Sequence, residues 1–296
     1  MPQLAVRLAA LPGEARGAAL LVLATALFAT MDAVGKELMT RHDPVQVVWA
    51  RYAGQMLIVV LILNRRLPEV ARTRRLGIQL LRSAMMFGAT LSGFHAFSQM
   101  PLADATAIFE TAPLMITALA ALALREKVGP RRWAGVFCGF LGALIIVRPG
   151  TEVFQPVAVL PLVGALCFAV YAIATRFLGR DEGQMTTLLW SAGLGTLVAS
   201  VMVPGVWITP TAADGALMLG MACLGVGGQF LMILAFGAAP ASAIAPFTYA
   251  GLVFATILGF FVFGDAPDLW TAVGATAIVG SGVYVWRRER LRALRP

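Results

Sequence analysis

Polar and charged side chains interrupt several apolar stretches of this sequence at the spacing of a helix face. Asp32 and Lys36 are one helical turn apart, and so are Arg51 and Gln55. Ionisable groups inside an apolar helix are costly to bury, and they typically mark a substrate path, a proton relay or an ion pair. The candidates for substrate contact in the first half of the chain are therefore Asp32, Arg51, Ser92, His95, Gln99 and Glu110.

Two ion pairs would neutralise most of these charges. Asp32 with Lys36 and Arg51 with Glu110 are the predicted gating or structural pairs, because opposite charges inside membrane helices pair with one another. Alternatively, one pair opens to receive the two charges of a zwitterion. His95 is either a proton relay, since its charge changes near neutral pH, or a side chain satisfied by a hydrogen bond.

The apolar stretches are long enough to cross a membrane. The 296 residues are 59% hydrophobic and 13% charged, whereas about a quarter of a soluble domain is charged. Runs of about 20 apolar residues match a hydrocarbon core of about 30 Å, and backbone exposed to lipid must be helical. The sequence predicts an all-α integral membrane protein with ten transmembrane helices, at 17–39, 44–63, 76–99, 102–124, 131–148, 156–178, 183–203, 212–236, 242–263 and 268–287.

The helical hairpin from Pro101 to Arg148 recurs from Pro240 to Arg287. A shift of 139 residues aligns the two without a gap. A fixed offset over a whole hairpin is the signature of an internal repeat. Five helices per repeat place the two repeats in opposite orientations, which is an architecture of alternating-access transporters. We therefore expect a five-helix repeat at 1–150 and a second, inverted five-helix repeat at 151–296.

The second half of the chain offers a different set of polar groups. Residues 181–286 contain no Lys or Arg, and the repeat offset places Tyr249 at the position of Glu110. A pocket that is half charged and half aromatic fits a substrate with a polar or zwitterionic end and an apolar body. Multivalent phosphates would need cations on both sides of the pocket and are excluded. The facing wall is predicted to be Tyr171, Trp190, Gln229 and Tyr249, with packing or membrane-interface roles as the alternative.

Two prolines are predicted hinges because each removes a helical hydrogen bond beside a candidate site residue. Pro113 lies close to Glu110 in the fourth predicted helix, and Pro246 lies close to Tyr249 in the ninth. Such breaks are tolerated in a membrane where the freed carbonyl groups face neighbouring helices or a cavity.

The distribution of positive charge predicts orientation. Most of the 23 Lys and Arg residues fall in segments on one side of the predicted topology, which places both termini in the cytosol. The net charge of +8 is then explained without a nucleic-acid partner. We expect a multi-pass protein of a bacterial-type inner membrane, in contact with the lipid bilayer and a small-molecule substrate. It would be a monomer or weak homodimer with no cofactor, metal or catalytic residue.

The repeated hairpins at Pro101–Gly135 and Pro240–Gly274 carry a family resemblance, together with MDAVGK at Met31–Lys36 and WARY at Trp49–Tyr52. With these features the chain resembles the EamA-type family of the drug/metabolite transporter superfamily, and it is similar to YddG-type amino-acid exporters. The resemblance covers nearly the whole chain. It implies a secondary transporter that exports small metabolites by alternating access, with neutral and aromatic amino acids as the preferred substrates.

Other functions remain open at this point. A transporter of cationic drugs, nucleoside-like compounds or cofactor metabolites would have the same fold, with Asp32 or Glu110 as counter-ion. An intramembrane enzyme would need Asp32 and Glu110 as a paired dyad, which the neighbouring cations Lys36 and Arg51 oppose. A passive channel would lack saturable counterflow.

Overall fold

The structure is a computed structural model that describes residues 13–123, 130–148, 156–178, 182–238 and 244–293. Within these ranges the regular secondary structure is helical. Short 3-10 segments lie at Asn64–Arg66, Pro156–Ala158, Val203–Val206 and Ala245–Tyr249. The α-helices are α1 (Gly13–Leu38), α2 (Pro44–Leu63), α3 (Leu67–Val70), α4 (Leu76–Phe97), α5 (Leu102–Phe109), α6 (Ala112–Ala123), α7 (Pro130–Val147), α8 (Val159–Leu178), α9 (Gln184–Met202), α10 (Ala212–Ala238), α11 (Ala250–Phe263) and α12 (Leu269–Ala293).

The helices have the length and surface of membrane spans. In the described part of the chain, six helical stretches are long and apolar enough to cross a membrane: Ala15–Leu38, Pro44–Val70, Leu102–Leu119, Pro156–Thr175, Gln184–Val206 and Ala212–Met232. Shorter apolar helices run over Trp133–Val147, Phe247–Phe263 and Leu269–Tyr284. Large apolar side chains such as Val201 and Phe261 are 77% and 78% exposed. Lipid acyl chains cover such a surface, so the predicted all-helical, multi-pass membrane protein is confirmed.

Local sequence signals explain where several helices begin and end. The Asp43 side chain accepts a hydrogen bond from the Val45 backbone N–H at 2.8 Å, and Pro44 occupies the first turn of α2. Helix α11 ends at Phe263, and the following Gly264 has a φ of 72°, in the left-handed region that glycine adopts without strain. These signals fix the α2 start and the α11 end close to the predicted positions.

The helix predicted at 102–124 is interrupted. Helix α5 ends at Phe109 and α6 begins at Ala112, because Pro113 has no N–H to donate to the Phe109 carbonyl. In the second half, a 3-10 segment at Ala245–Tyr249 contains Pro246 and precedes α11. The backbone is therefore irregular at both predicted hinges, while hinge motion itself stays a prediction.

The closest helix packing joins the first half of the chain to the second half. Helix α1 packs along α10, α4 along α8, α2 along α9, and α7 along α12. Small residues permit close approach: a Cβ atom added at Gly54 of α2 would lie 2.5 Å from Ala222 Cβ of α10. Close approach of this kind is how membrane helices gain packing energy, since lipid is as apolar as their side chains.

The two ends of the bundle differ in charge. The connection between α2 and α4 carries a group of arginines, Arg65, Arg66, Arg72, Arg74 and Arg75, and we call this end the arginine-rich face. The α1–α2 connection at 39–43 and the α11–α12 connection at 264–268 lie at the other end, which we call the opposite face.

Candidate functional site

A cavity of about 380 Å³ lies between α2, α4, α8, α9 and α10. Its volume falls within the range of about 300–1,000 Å³ that is typical of small-molecule sites. The lining comes from the half of the bundle nearer the arginine-rich face, where Gln184 is exposed. The polar lining residues are Arg51, Tyr52, Gln55, Arg82, Tyr171, Thr175, Glu182, Gln184, Thr187, Ser191 and Gln229.

Arg82 of α4 is a buried cation that is held by the second half of the chain. It is 4% exposed. Its Nε donates to Thr175 Oγ1 at 2.8 Å, and its Nη2 donates to the Tyr171 hydroxyl at 2.9 Å. Its Nη1 donates to the Thr187 carbonyl at 3.0 Å and to Ser191 Oγ at 3.1 Å. These hydrogen bonds use most of its donors, so Arg82 fixes α8 and α9 against α4 and gives the cavity a positive potential.

Arg51 of α2 has fewer protein partners. Its Nη1 donates to Thr90 Oγ1 at 3.0 Å, and its Nε is buried without a partner among the described residues. The guanidinium carbon lies 5.6 Å from the centre of the Tyr52 ring and 5.7 Å from that of Phe94. Asp32 of α1 is within electrostatic range but forms no direct ion pair with Arg51. Arg51 is therefore a cation with donors left for a ligand in the cavity.

Glu182 lines the cavity at the arginine-rich face. Its carboxylate accepts hydrogen bonds from Thr73 Oγ1 at 2.8 Å and from the Arg74 backbone N–H at 2.9 Å. Partial desolvation raises the pKa of Glu182, but these hydrogen bonds outweigh it and hold the pKa below its usual value. The side chain thereby joins the α2–α4 connection to the start of α9.

The opposite face is held by polar contacts between the two halves of the chain. Gln46, with no exposed surface, donates to the Ile208 carbonyl at 2.6 Å and accepts from the Ile208 N–H at 2.9 Å. Trp49 Nε1 donates to Ser200 Oγ at 2.9 Å. The ion pairs at this end are Lys36 with Asp265 at 2.7 Å, Arg41 with Asp214 at 3.2 Å, and Arg148 with Asp268.

The structure brings three predicted site residues together in the cavity: Arg51, Tyr171 and Gln229. The other predicted residues lie elsewhere. Ser92 Oγ donates to the Gly88 carbonyl at 2.7 Å, and Gln99 Nε2 donates to the His95 carbonyl at 3.3 Å. His95 Nδ1 lies 2.9 Å from the Leu91 carbonyl, which matches the hydrogen-bonding alternative for this residue. Each of these contacts joins residues four positions apart in α4 or directly after it, so none reaches another helix.

Trp190 and Tyr249 also lie outside the cavity lining. Trp190 Nε1 donates to the Ala71 carbonyl at 3.1 Å, which joins α9 to the turn after α3. Tyr249 is 7% exposed and its hydroxyl packs against Gly282 of α12. Glu110, at the α5–α6 interruption, is near Tyr249 and Gly251.

Neither predicted ion pair forms among the described residues. Lys36 pairs with Asp265 instead of Asp32, because its long side chain extends from the last turn of α1 to the α11–α12 connection. Arg51 hydrogen-bonds to Thr90 instead of pairing with Glu110, which lies near Gly251 of α11. Asp32 and Glu110 are both half-buried.

Arg82 is the principal cavity residue that the sequence analysis did not select. It is an arginine inside an apolar stretch, so the rule that selected Arg51 applies to it equally. The hydroxyl groups of Thr175, Thr187 and Ser191 carry no comparable signal, because hydroxyl residues are common in membrane helices and satisfy themselves on their own backbone. A polar cavity inside a multi-pass helical bundle is the arrangement of a membrane transporter.

Comparison with known proteins identifies the family of this transporter. The EamA-like transporter family matches the chain twice, over residues 15–148 and 155–287. The chain therefore belongs to the EamA-like transporter family, within the drug/metabolite transporter superfamily. A solved crystal structure of a protein with 20% identity aligns with a TM-score of 0.63 over 95% of this chain and 99% of that chain, which supports the fold.

Curated relatives carry small metabolites. The chain is 27% identical to the S-adenosylmethionine uptake transporter of Rickettsia bellii over 259 residues, which is 88% of this chain and 89% of that protein. It is 28% identical to the riboflavin transporter of Vibrio cholerae over 253 residues, covering 83% and 84%. It is 27% identical to the pseudopaline exporter CntI of Pseudomonas aeruginosa over 278 residues, covering 93% and 97%. These relatives indicate a small-metabolite transporter, not an enzyme.

Proposed function

We propose that the protein is a secondary transporter that exports metabolites bearing an α-amino-acid group across the inner membrane. Neutral and aromatic amino acids are the preferred substrates. The observation that carries the proposal is the composition of the cavity. It joins the guanidinium groups of Arg51 and Arg82 from the first half to Tyr171, Ser191 and Gln229 from the second half.

The substrate carboxylate would bind Arg51. Its guanidinium has donors left for a ligand, and an arginine can bind both oxygens of a carboxylate at once. Gln55 and Gln229 offer amide oxygens to a substrate ammonium group, while Met86 and Met232 offer adaptable apolar surface to its side chain. A simple organic cation is disfavoured, because two guanidinium groups face the same volume.

Transport would proceed by alternating access in a ten-helix bundle with inverted repeats at 1–150 and 151–296. The helix pairing supports this proposal: exchange of the two repeats turns the α1–α10 pair into the α8–α4 pair and leaves the α2–α9 and α7–α12 pairs in place. The arginine-rich face is the proposed cytosolic side, with both termini there. The cavity near that face and the ion pairs at the opposite face then describe an inward-facing state.

A second candidate function is transport of nucleoside-like or cofactor metabolites. Relatives that transport S-adenosylmethionine and riboflavin favour it. An aromatic surface beside the cavity also favours it, since the Tyr171 ring stacks on Phe168 with centroids 5.5 Å apart. S-adenosylmethionine combines an amino-acid group with a nucleoside, so one cavity could hold both substrate types, the carboxylate at Arg51 and the base near Tyr171.

Counterflow in liposomes tests the function. Purified protein is reconstituted with unlabelled phenylalanine inside, and entry of labelled phenylalanine is followed against protein-free liposomes. Saturable, transient accumulation supports a carrier of amino acids. Parallel vesicles are loaded with S-adenosylmethionine, riboflavin or phenethylamine. Exchange with S-adenosylmethionine or riboflavin supports the second candidate, and exchange with phenethylamine indicates transport of a simple cation. Absence of counterflow with phenylalanine and S-adenosylmethionine would contradict the proposal, and non-saturable flux would indicate a channel.

A further inference from the structure

A second polar site lies at the α5–α6 interruption, apart from the cavity. Glu110 follows the last residue of α5, and the next turn is tightened: the Thr111 N–H donates to the Ile108 carbonyl at 3.1 Å. Pro113 leaves the Phe109 carbonyl without its helical partner. A carboxylate and a freed carbonyl therefore sit at the same break inside the bundle. None of these residues lines the substrate cavity.

The backbone of the second half of the chain is also irregular close to Glu110. Helix α5 packs against α11, which the 3-10 segment Ala245–Tyr249 precedes. At Gly251 no side chain fills the space: a Cβ atom there would lie 3.8 Å from Glu110 Oε1 and 3.7 Å from Thr25 Cβ of α1. Interrupted helices that face each other between two repeats are where membrane transporters bind their coupling ions.

Glu110 has no cationic partner among the described residues. Lys36 of α1 and Arg148 beyond α7 are engaged by Asp265 and Asp268 at the opposite face. Helix α11 contributes no cation to the site. The described titratable and charged groups on the surrounding elements are Arg16, Asp32, Lys36 and Glu37 on α1, Arg82 and His95 on α4, Asp104 on α5, Cys138 on α7, Cys167 and Tyr171 on α8, Tyr249 before α11, and Tyr284 and Arg287 on α12. Ionisable side chains inside membrane spans mark ion pathways and proton relays, so a carboxyl group without a cation at this break is a candidate proton-binding site.

We propose that Glu110 is the proton-binding site through which the transporter couples substrate movement to a pH gradient. The inference rests on the proposed transport function and deepens it. One proton binds the Glu110 carboxylate when water reaches it from one face. The proton leaves to the other face after the interrupted helices α5–α6 and Ala245–α11 rearrange. Glu110 is half-buried, so the protein does not enclose it completely.

The test separates coupling from transport. Proteoliposomes of wild type and Glu110→Gln are assayed for phenylalanine counterflow at equal pH. They are then assayed for net accumulation with an imposed pH gradient of either polarity, with the membrane potential clamped at zero. For one proton per substrate, a gradient of about one pH unit supports up to about tenfold accumulation. Wild type should show both activities. Glu110→Gln should retain counterflow and lose accumulation, while Glu110→Asp keeps a titratable group and part of the accumulation.

The possible failures are distinguishable. No counterflow in wild type would contradict the transport proposal itself. Three results would overturn the coupling site. They are counterflow that responds to neither pH gradient, a response to a sodium gradient instead, and a full pH response in Glu110→Gln. Infrared difference spectra between acidic and basic pH provide a readout that needs no substrate. The carbonyl band of protonated carboxyl groups should contain a component that is present in wild type and in the control Glu37→Gln and missing in Glu110→Gln. Persistence of that component in Glu110→Gln would also overturn the inference.

Discussion

Replacement of Arg51 by glutamine should weaken substrate binding by a large and calculable factor. Arg51 lines the cavity, and Thr90 is its one side-chain hydrogen-bond partner among the described residues, so its remaining Nη donors could bind a substrate carboxylate. Loss of one member of a buried, hydrogen-bonded charge pair costs about 2–4 kcal/mol. At 1.4 kcal/mol per factor of ten, the apparent substrate affinity of Arg51→Gln should fall about 30- to 700-fold.

The assay compares two ligands on wild type and on each Arg51 variant. Inhibition of labelled phenylalanine counterflow by phenylalanine and by phenylalaninamide is measured for each variant. Wild type should prefer the carboxylate by the factor given above, and Arg51→Gln should lose most of that preference. Arg51→Lys retains the charge without the bidentate geometry, so its preference should be intermediate.

A matched control excludes a general effect of charge or folding. Arg65→Gln removes one positive charge from the arginine-rich face, outside the cavity lining, and should change both inhibition constants little. The elution profile and melting temperature in detergent check that each variant is folded. An unchanged preference for phenylalanine over phenylalaninamide in a folded Arg51→Gln protein would refute the role of Arg51.

Three further predictions concern packing, the opposite face and pH. Gly54→Ala should lower the melting temperature, because its methyl group would meet Ala222 Cβ at 2.5 Å and overpacking costs about 1–3 kcal/mol; an unchanged melting temperature would contradict this packing. Lys36→Gln should weaken the opposite face and accelerate maleimide labelling of Val48→Cys in a background without other cysteines, since Val48 lies near the start of α2 with no exposed surface, whereas Lys36→Arg should label slowly. Equal rates would show that the Lys36 ion pair does not restrict access. The lowered pKa of Glu182 means that its hydrogen bonds stabilise the protein above about pH 4.3 and are lost as the pH falls through that lowered pKa. Glu182→Gln should therefore melt below wild type at pH 7, and the difference should shrink on acidification. A difference that does not depend on pH would refute this reasoning.

The sequence predicted helix positions well because membrane helices obey a strong local rule. Each must be apolar over a fixed length and satisfy its own backbone. The α2 helix lies where it was predicted, from Pro44 to Leu63, and the breaks near Pro113 and Pro246 follow from the missing N–H of proline. These features depend on neighbouring residues in the chain and need no knowledge of packing.

Partners across the bundle could not be predicted in the same way. Lys36 was expected to pair with Asp32 one turn away, but it reaches Asp265, more than 200 residues later. Arg82 binds groups on α8 and α9 that are close only after the two halves pack. The rotation of each helix about its axis decides which of its side chains face the cavity. The sequence pattern of one membrane helix does not fix that rotation, because its lipid-facing and buried sides are both apolar.

The structure of the protein with a bound substrate that gives counterflow would test the central claim most directly. We predict the substrate in the cavity between α2, α4, α8, α9 and α10, with a carboxylate oxygen within about 3.2 Å of an Arg51 guanidinium nitrogen. A substrate bound instead beside Glu110 and Tyr249, with the Arg51 guanidinium unoccupied, would contradict it.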